Sequence, residues 1–165
     1  MATAQGVMSM IGVASYQFGT GACFIGGTRV NTLDGYKEIQ DIKEGDYVLS
    51  FDPNNTDIVV ENVVIKTYIR EVTSYIEIKT KNGITLNVTQ EHPFFSTKVN
   101  SFIRACDLSL DSTLMNIDGS SIEIKSILLK ESESITSPVK VYDIKIDNLH
   151  TFFVEGLGVH NPAKP

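Results

Sequence analysis

Between Cys23 and Asn161 no stretch of the chain sustains a helical period. It falls instead into short β-branched or alternating runs divided by turn signals. Residues 28–33 alternate and run into Asp34-Gly35, a hairpin signal. Residues 37–43 read as a helical turn with Ile39 and Ile42 on one side, and 47–51 as a strand ended by the turn Asp52-Pro53-Asn54-Asn55. Residues 58–69 and 74–80 read as strands, followed by the turn Lys81-Asn82-Gly83 and a further strand at 84–89. Residues 114–117, 122–129 and 139–146 complete the set, with room for loops at 54–64 and 130–138. The expectation is an all-β protein. One echo adds to it: DIKEGDYVLSFD at 41–52 lines up with DLSLDSTLMNID at 107–118, apolar position over apolar position. A duplicated, pseudo-twofold β-fold would leave that trace.

A chain of 165 residues fits one domain and can bury a real core. Hydrophobic residues make up 42% and charged residues 21%, the balance of an ordinary globular protein. The net charge of -6 and the lack of a basic patch argue against a nucleic-acid or anionic-membrane partner. Two cysteines, Cys23 and Cys106, make neither a disulfide framework nor a CxxC pair, and Cys106 reads as a core residue. The longest apolar-leaning run, 7–16, is too short to cross a membrane and lacks the basic flank of a signal peptide. Residues 1–22 contain no charged residue and read as a flexible leader.

Three stretches carry chemistry. The first opens at Cys23, in CFIGGTRVNTLDG. Taken alone, Cys23 reads as a small, buried, inert residue, the common fate of a free cysteine. As a nucleophile it would attack the Ala22 carbonyl and convert a peptide bond into a thioester. That shift is uphill, so the fold must strain the amide, protonate its nitrogen or hold the oxyanion. The second stretch, GITLNVTQEHPFF, sets Thr89 three residues before His92, where a turn can aim hydroxyl and imidazole at one point. His92 titrates near neutrality and can protonate a leaving amine. A turn-capping threonine with a surface histidine is the plainer alternative. The third, VYDIKIDNLHTFFVEGLGVHN, runs from a strand through Phe152-Phe153-Val154, turns at Gly156 and Gly158, and ends on His160 and Asn161. The Asn161 amide can attack its own backbone carbonyl and release the chain beyond it, with His160 polarising that carbonyl. His150 is either its proton partner or a strand-end histidine bonded to backbone.

These three stretches, in this order, resemble the first, middle and terminal blocks of a Hint (hedgehog/intein) module, and most closely the bacterial intein-like domains and mini-inteins. The resemblance spans 23–161. It implies a compact, horseshoe-like all-β fold whose pseudo-twofold halves bring both ends of the module to one active site. It would make Cys23 the acyl-shift nucleophile, with Thr89 and His92 activating the bond before it. Asp143 would be the acidic residue coordinating the two cuts, and His160 would assist Asn161 cyclisation. Residues 1–22 and 162–165 would then be flanking segments, the domain's own substrate and its only expected partner. The domain would act as a monomer, with no cofactor. The hedgehog branch fits less well, since it ends without a His-Asn pair and uses a sterol acceptor.

One departure stands out. Splicing inteins carry Cys, Ser or Thr after the terminal asparagine, whereas this chain carries Pro162, with neither a side-chain nucleophile nor an N–H. The expectation is therefore cleavage at one or both junctions with little or no ligation. Two other readings stand beside it. One is a Hint-fold spacer without activity. The other is an inhibitory zinc ion held by Cys23, His92, His150 and His160, although their spacing is unlike any structural zinc motif.

Overall fold

The computed structural model describes residues 22–134 and 136–161. The expected flanking segments 1–21 and 162–165 therefore lie outside the described residues. The strands in chain order are β1 (Phe24–Ile25), β2 (Arg29–Thr32), β3 (Gly35–Glu38), β4 (Tyr47–Asp52), β5 (Asn55–Val72), β6 (Ser74–Thr80) and β7 (Thr85–Val88). They continue with β8 (Pro93–Ser96), β9 (Ser101–Arg104), β10 (Thr113–Met115), β11 (Ser121–Glu131), β12 (Val139–Ile146), β13 (Thr151–Val154) and β14 (Leu157–His160). All pairings are antiparallel, and the described residues hold no α-helix. Two single 3-10 turns, Ile39–Asp41 and Ala105–Asp107, are the only helical pieces among them. The fold is all-β.

The echo read between 41–52 and 107–118 extends along almost the whole domain. Equivalent elements recur 66 residues apart: β3 and β9 begin at 35 and 101, the 3-10 turns at 39 and 105, β4 and β10 at 47 and 113. β5 and β11 begin at 55 and 121, and β7 and β13 at 85 and 151. The two halves exchange their long arms. β5 passes its sequence neighbour β6 and pairs with β12 from Val72↔Val139 to Val64↔Ile146. β11 reciprocally pairs with β6 from Ser74↔Glu131 to Thr80↔Ile124.

Several local expectations are corrected. Residues 55–64 are no loop: they form the first part of β5, closed on β4 by Tyr47↔Val63 through Phe51↔Val59. Their Ile58-Val59-Val60 run is exposed, so the alternation that marks a half-buried strand is missing. The helical turn expected over 37–43 shrinks to a 3-10 turn, because 35–38 pair with β2. Gly158 lies inside β14 rather than in a turn, with Phe51 and Met115 packed where a side chain would stand. Gly156, at φ +82°, makes the turn. Cys106 is exposed, because Ala105 and Leu108 take the inward positions of the second 3-10 turn.

Alternation splits the paired phenylalanines between two cores. Phe94 and Phe152 join Phe24, Val30, Ile78, Leu86 and Ile144 in the larger cluster. Phe95 and Phe153 join Phe51 and Met115 in the smaller. Both clusters lie against the elements that end in the candidate site residues. No helix of the described residues is long and apolar enough to cross a membrane.

Candidate active site

The two-residue strand β1 is wedged between β7 and β12, with Phe24 opposite Val88 on one side and Tyr142 on the other. Continued one residue back, this register sets Cys23 between Thr89 and Asp143. The backbone confirms the first pairing, since Thr89 N–H donates to Cys23 O at 2.9 Å. The Thr89 hydroxyl makes two further bonds. It accepts from Cys23 N–H at 2.8 Å and donates to Cys23 O at 3.1 Å. The nitrogen of the Ala22–Cys23 peptide bond is thus tied to Thr89, and both residues of that bond are fully buried.

His92 is not the surface histidine of the plainer reading: it is 0% exposed. Its ring lies 4.2 Å from that of Phe24 and is boxed by Phe94 and Phe152. The turn carrying it is closed by His92 N–H to Thr89 O and clamped from the second 3-10 turn. There Cys106 N–H donates to Gln90 O at 2.8 Å and Ala105 N–H to His92 O at 2.9 Å. Asp143, also buried, stands directly opposite Tyr68 across the β12–β5 ladder. Burial, and after it the negative charge of Asp143, push the Tyr68 phenol above its ordinary pKa. Sequence reasoning missed Tyr68, because only the arm exchange makes β5 the neighbour of β12.

The second cluster forms at the end of the β13–β14 hairpin, where Thr151 pairs with His160. His150, in the left-handed region at φ 56°, turns its carbonyl to accept from Asn161 N–H at 2.8 Å. The Asn161 side chain is buried, and its Oδ1 accepts from Ile146 N–H at 2.9 Å. Its Nδ2 has no hydrogen-bond partner among the described residues. The His160 ring lies 4.9 Å from Phe102 and 6.4 Å from His150. Burial first, and then the charge of His150, hold its pKa below the ordinary 6.5.

The seven candidate residues therefore gather in two groups: Cys23, Thr89, His92 and Asp143 in one, and His150, His160 and Asn161 in the other. β12 carries a contact to each. Asp143 and Ile146 lie three residues apart on it, about 10 Å at the rise of a strand. The four ligands imagined for zinc do not assemble, and no group of three or more His, Cys, Asp or Glu among the described residues could hold a metal ion.

The pretoxin HINT domain family matches residues 29–162. The chain belongs to that family. A solved bacterial intein-like domain from Clostridium thermocellum is similar to this HINT domain at 32% identity and a TM-score of 0.78, covering 84% of this chain and 98% of that one. A DnaB intein from Synechocystis, at 17% identity, shares the fold with a TM-score of 0.74 over 86% of this chain and 99% of its own. Warthog protein 6 of Caenorhabditis elegans is 29% identical over an alignment of 129 residues that covers 73% of this chain and 21% of that protein. This chain therefore spans about a fifth of that relative's length. Together these likenesses make it a Hint-superfamily domain of the intein-like, self-processing kind.

Proposed function

We propose that this HINT domain cuts its own backbone at Ala22–Cys23 and after Asn161, in single-turnover reactions. Residues 1–22 and 162–165 are then the segments that are cut away. The observation that carries the reading is the Thr89 hydroxyl bonded to the amide of the first scissile bond.

In the first cut the Cys23 thiol loses its proton and its sulfur attacks the Ala22 carbonyl carbon. A C–S bond forms, the C–N bond breaks, and the proton passes to the departing Cys23 nitrogen. The product is a thioester with a free amine, and an external thiol can take over the acyl group and release it. Burial excludes water, so the hydrogen bonds that orient the amide act at low dielectric. Thr89 fixes the amide, and His92, packed against the next residue's ring, is the proton donor.

In the second cut Asn161 Nδ2 attacks its own carbonyl carbon, closes a succinimide, and passes a proton to the leaving nitrogen of Pro162. Anchoring Oδ1 on Ile146 N–H leaves the nitrogen as the group that can move. His160, largely neutral at physiological pH, serves the proton transfer, with His150 beside it. Pro162 sharpens the outcome. Having no N–H, it cannot attack the Asn161 side chain, so the backbone route to deamidation is closed and any succinimide at Asn161 severs the chain. It also offers no hydroxyl or thiol to receive an acyl group, so the flanks are cut rather than joined.

The test is intact mass over hours with and without a strong thiol, beside Cys23→Ala and Asn161→Ala. Thiol-dependent loss of 1–22 that vanishes in Cys23→Ala establishes the first cut. Loss of 162–165 that vanishes in Asn161→Ala establishes the second. Full-length mass under every condition leaves only a spacer with a Hint fold.

A further inference from the structure

The buried phenol on β5 lies outside every role assigned above. Tyr68 and Asp143 are directly paired residues of an antiparallel ladder, so their side chains share a face with Cβ atoms about 5 Å apart. The Tyr68 hydroxyl is buried although the residue as a whole is half-buried, so the polar end points inward and the ring edge outward. The Lys66 ammonium stands over that ring, 5.4 Å from its centroid. Burial first, and then the negative charge of Asp143, raise the pKa of the phenol. Across four adjacent strands, β7, β1, β12 and β5, the register thus lines up Thr89, Cys23, Asp143 and Tyr68 in one lateral row.

We propose that Tyr68 is a positioning residue of the first cut: its buried phenol holds the Asp143 side chain as an oriented carboxylate beside Cys23. This rests on the processing reading above and deepens it. A buried carboxylate is costly unless donors surround it. A phenol is well suited to the task here, because the site that makes a charge expensive also keeps the phenol protonated and therefore a donor. The other charged and titratable groups facing Asp143 are few. Arg70 and Lys66 flank Tyr68 on β5, Lys145 lies two residues along β12, Cys23 is opposite on β1, and His92 packs on Phe24 in the same cluster. None of these is altered when the phenolic oxygen alone is removed. Tyr68 acts through Asp143, as a positioning residue rather than a catalytic one.

The experiment has two arms. In a Cys23→Ala, Asn161→Ala background, which blocks both cuts, the Asp143 carboxyl is titrated by carbon NMR with and without Tyr68→Phe. The expected result is a midpoint raised by about one pH unit, a tenfold gain in proton affinity, with the fold unchanged in the amide spectrum. 3-Fluorotyrosine incorporated at Tyr68, a stronger donor, moves the midpoint the other way and serves if Tyr68→Phe does not fold. In the second arm, thiol-induced loss of 1–22 is followed against pH in chains that retain Cys23. Tyr68→Phe is expected to shift the acidic limb upward, while substitution of the exposed Lys125 on β11 by Gln leaves it in place. An Asp143 midpoint that moves with neither change at Tyr68 overturns the proposal, whether or not the chain cuts itself. If the parent chain never cuts, the processing reading fails, and the titration still decides what Tyr68 does to Asp143.

Discussion

At the scale of single residues, the candidate site depends on hydroxyl and imidazole groups whose surroundings decide what they do. Thr89 is the sharpest case, since one hydroxyl satisfies both the N–H and the C=O of Cys23. Thr89→Val keeps the shape and leaves a buried N–H without its acceptor, at a cost of about 1–3 kcal/mol. It should slow thiol-induced loss of 1–22 by roughly 10²-fold or more, while Thr89→Ser retains most of the rate. Equal rates for parent and valine variant would remove Thr89 from the mechanism. His160 gives the pH dependence. Its folded-state pKa lies below the ordinary 6.5, so the unfolded chain takes up this proton first as the pH falls. The stability that comes with a neutral, buried His160 is therefore complete above about pH 6.5 and is lost as the pH drops through the lower folded value. His150→Gln removes the second cause and leaves burial, so the His160 titration should rise toward 6.5 without reaching it. The acidic limb of the second cut should rise with it, and proton NMR of the His160 ring alongside the mass assay reads both. The residue types and their spacing named these groups from the sequence, but their environments were not legible. Nothing in TQEH distinguishes a surface histidine from one boxed by three phenylalanines, because those rings arrive from β1, β8 and β13.

Elements were legible wherever a turn signal and an alternating run coincided, and blurred where a strand leaves the core. β12 reads directly because its inward residues, Ile144 and Ile146, are buried in alternation with the half-buried Lys145. The outer part of β5 buries nothing, and the exchange that pairs its inner part with β12 joins residues about 75 positions apart, such as Tyr68 and Asp143. No local period encodes such a partner. The β13–β14 hairpin shows how an element holds a site. Glu155 sits at φ 50° in its turn and makes a forked ion pair with Arg29, while Gly156 N–H donates to Asn31 on β2. The far end of the same hairpin carries His160 and leads to Asn161. Between them Gly158 has no space to spare: a Cβ there would stand 3.0 Å from Met115 Cε and 3.0 Å from Phe51 Cε1. Gly158→Ala should destabilise the domain by about 1–3 kcal/mol through overpacking. It should also slow the second cut more than the first, because the shift propagates along β14 to Asn161. Thermal melting and the ratio of the two products check this, and unchanged melting would mean that Phe51 and Met115 give way freely.

The whole molecule is two copies of one plan that cannot be separated. Each half lends its long strand to the other, so β5 lacks its ladder without β12, and β11 lacks its ladder without β6. The larger core is likewise joint, drawing Val30, Val48 and Val64 from one repeat and Phe94, Leu114 and Phe152 from the other. A molecule built in this way should unfold in one step despite its internal duplication, and it should transmit damage at any central contact to both cuts. Phe24 is such a contact: fully buried, it lies edge-on to Phe94 and Phe152 and against His92. Phe24→Ala should cost about 3–5 kcal/mol. That is a large share of the roughly 5–15 kcal/mol available to a domain, and the loss should slow both reactions together. Urea unfolding of the Cys23→Ala chain, followed by circular dichroism and by methyl signals from each repeat, should give coincident midpoints. Separate midpoints would mean that the halves hold themselves together independently, and that the shared strand β12 does not couple the two ends of the site.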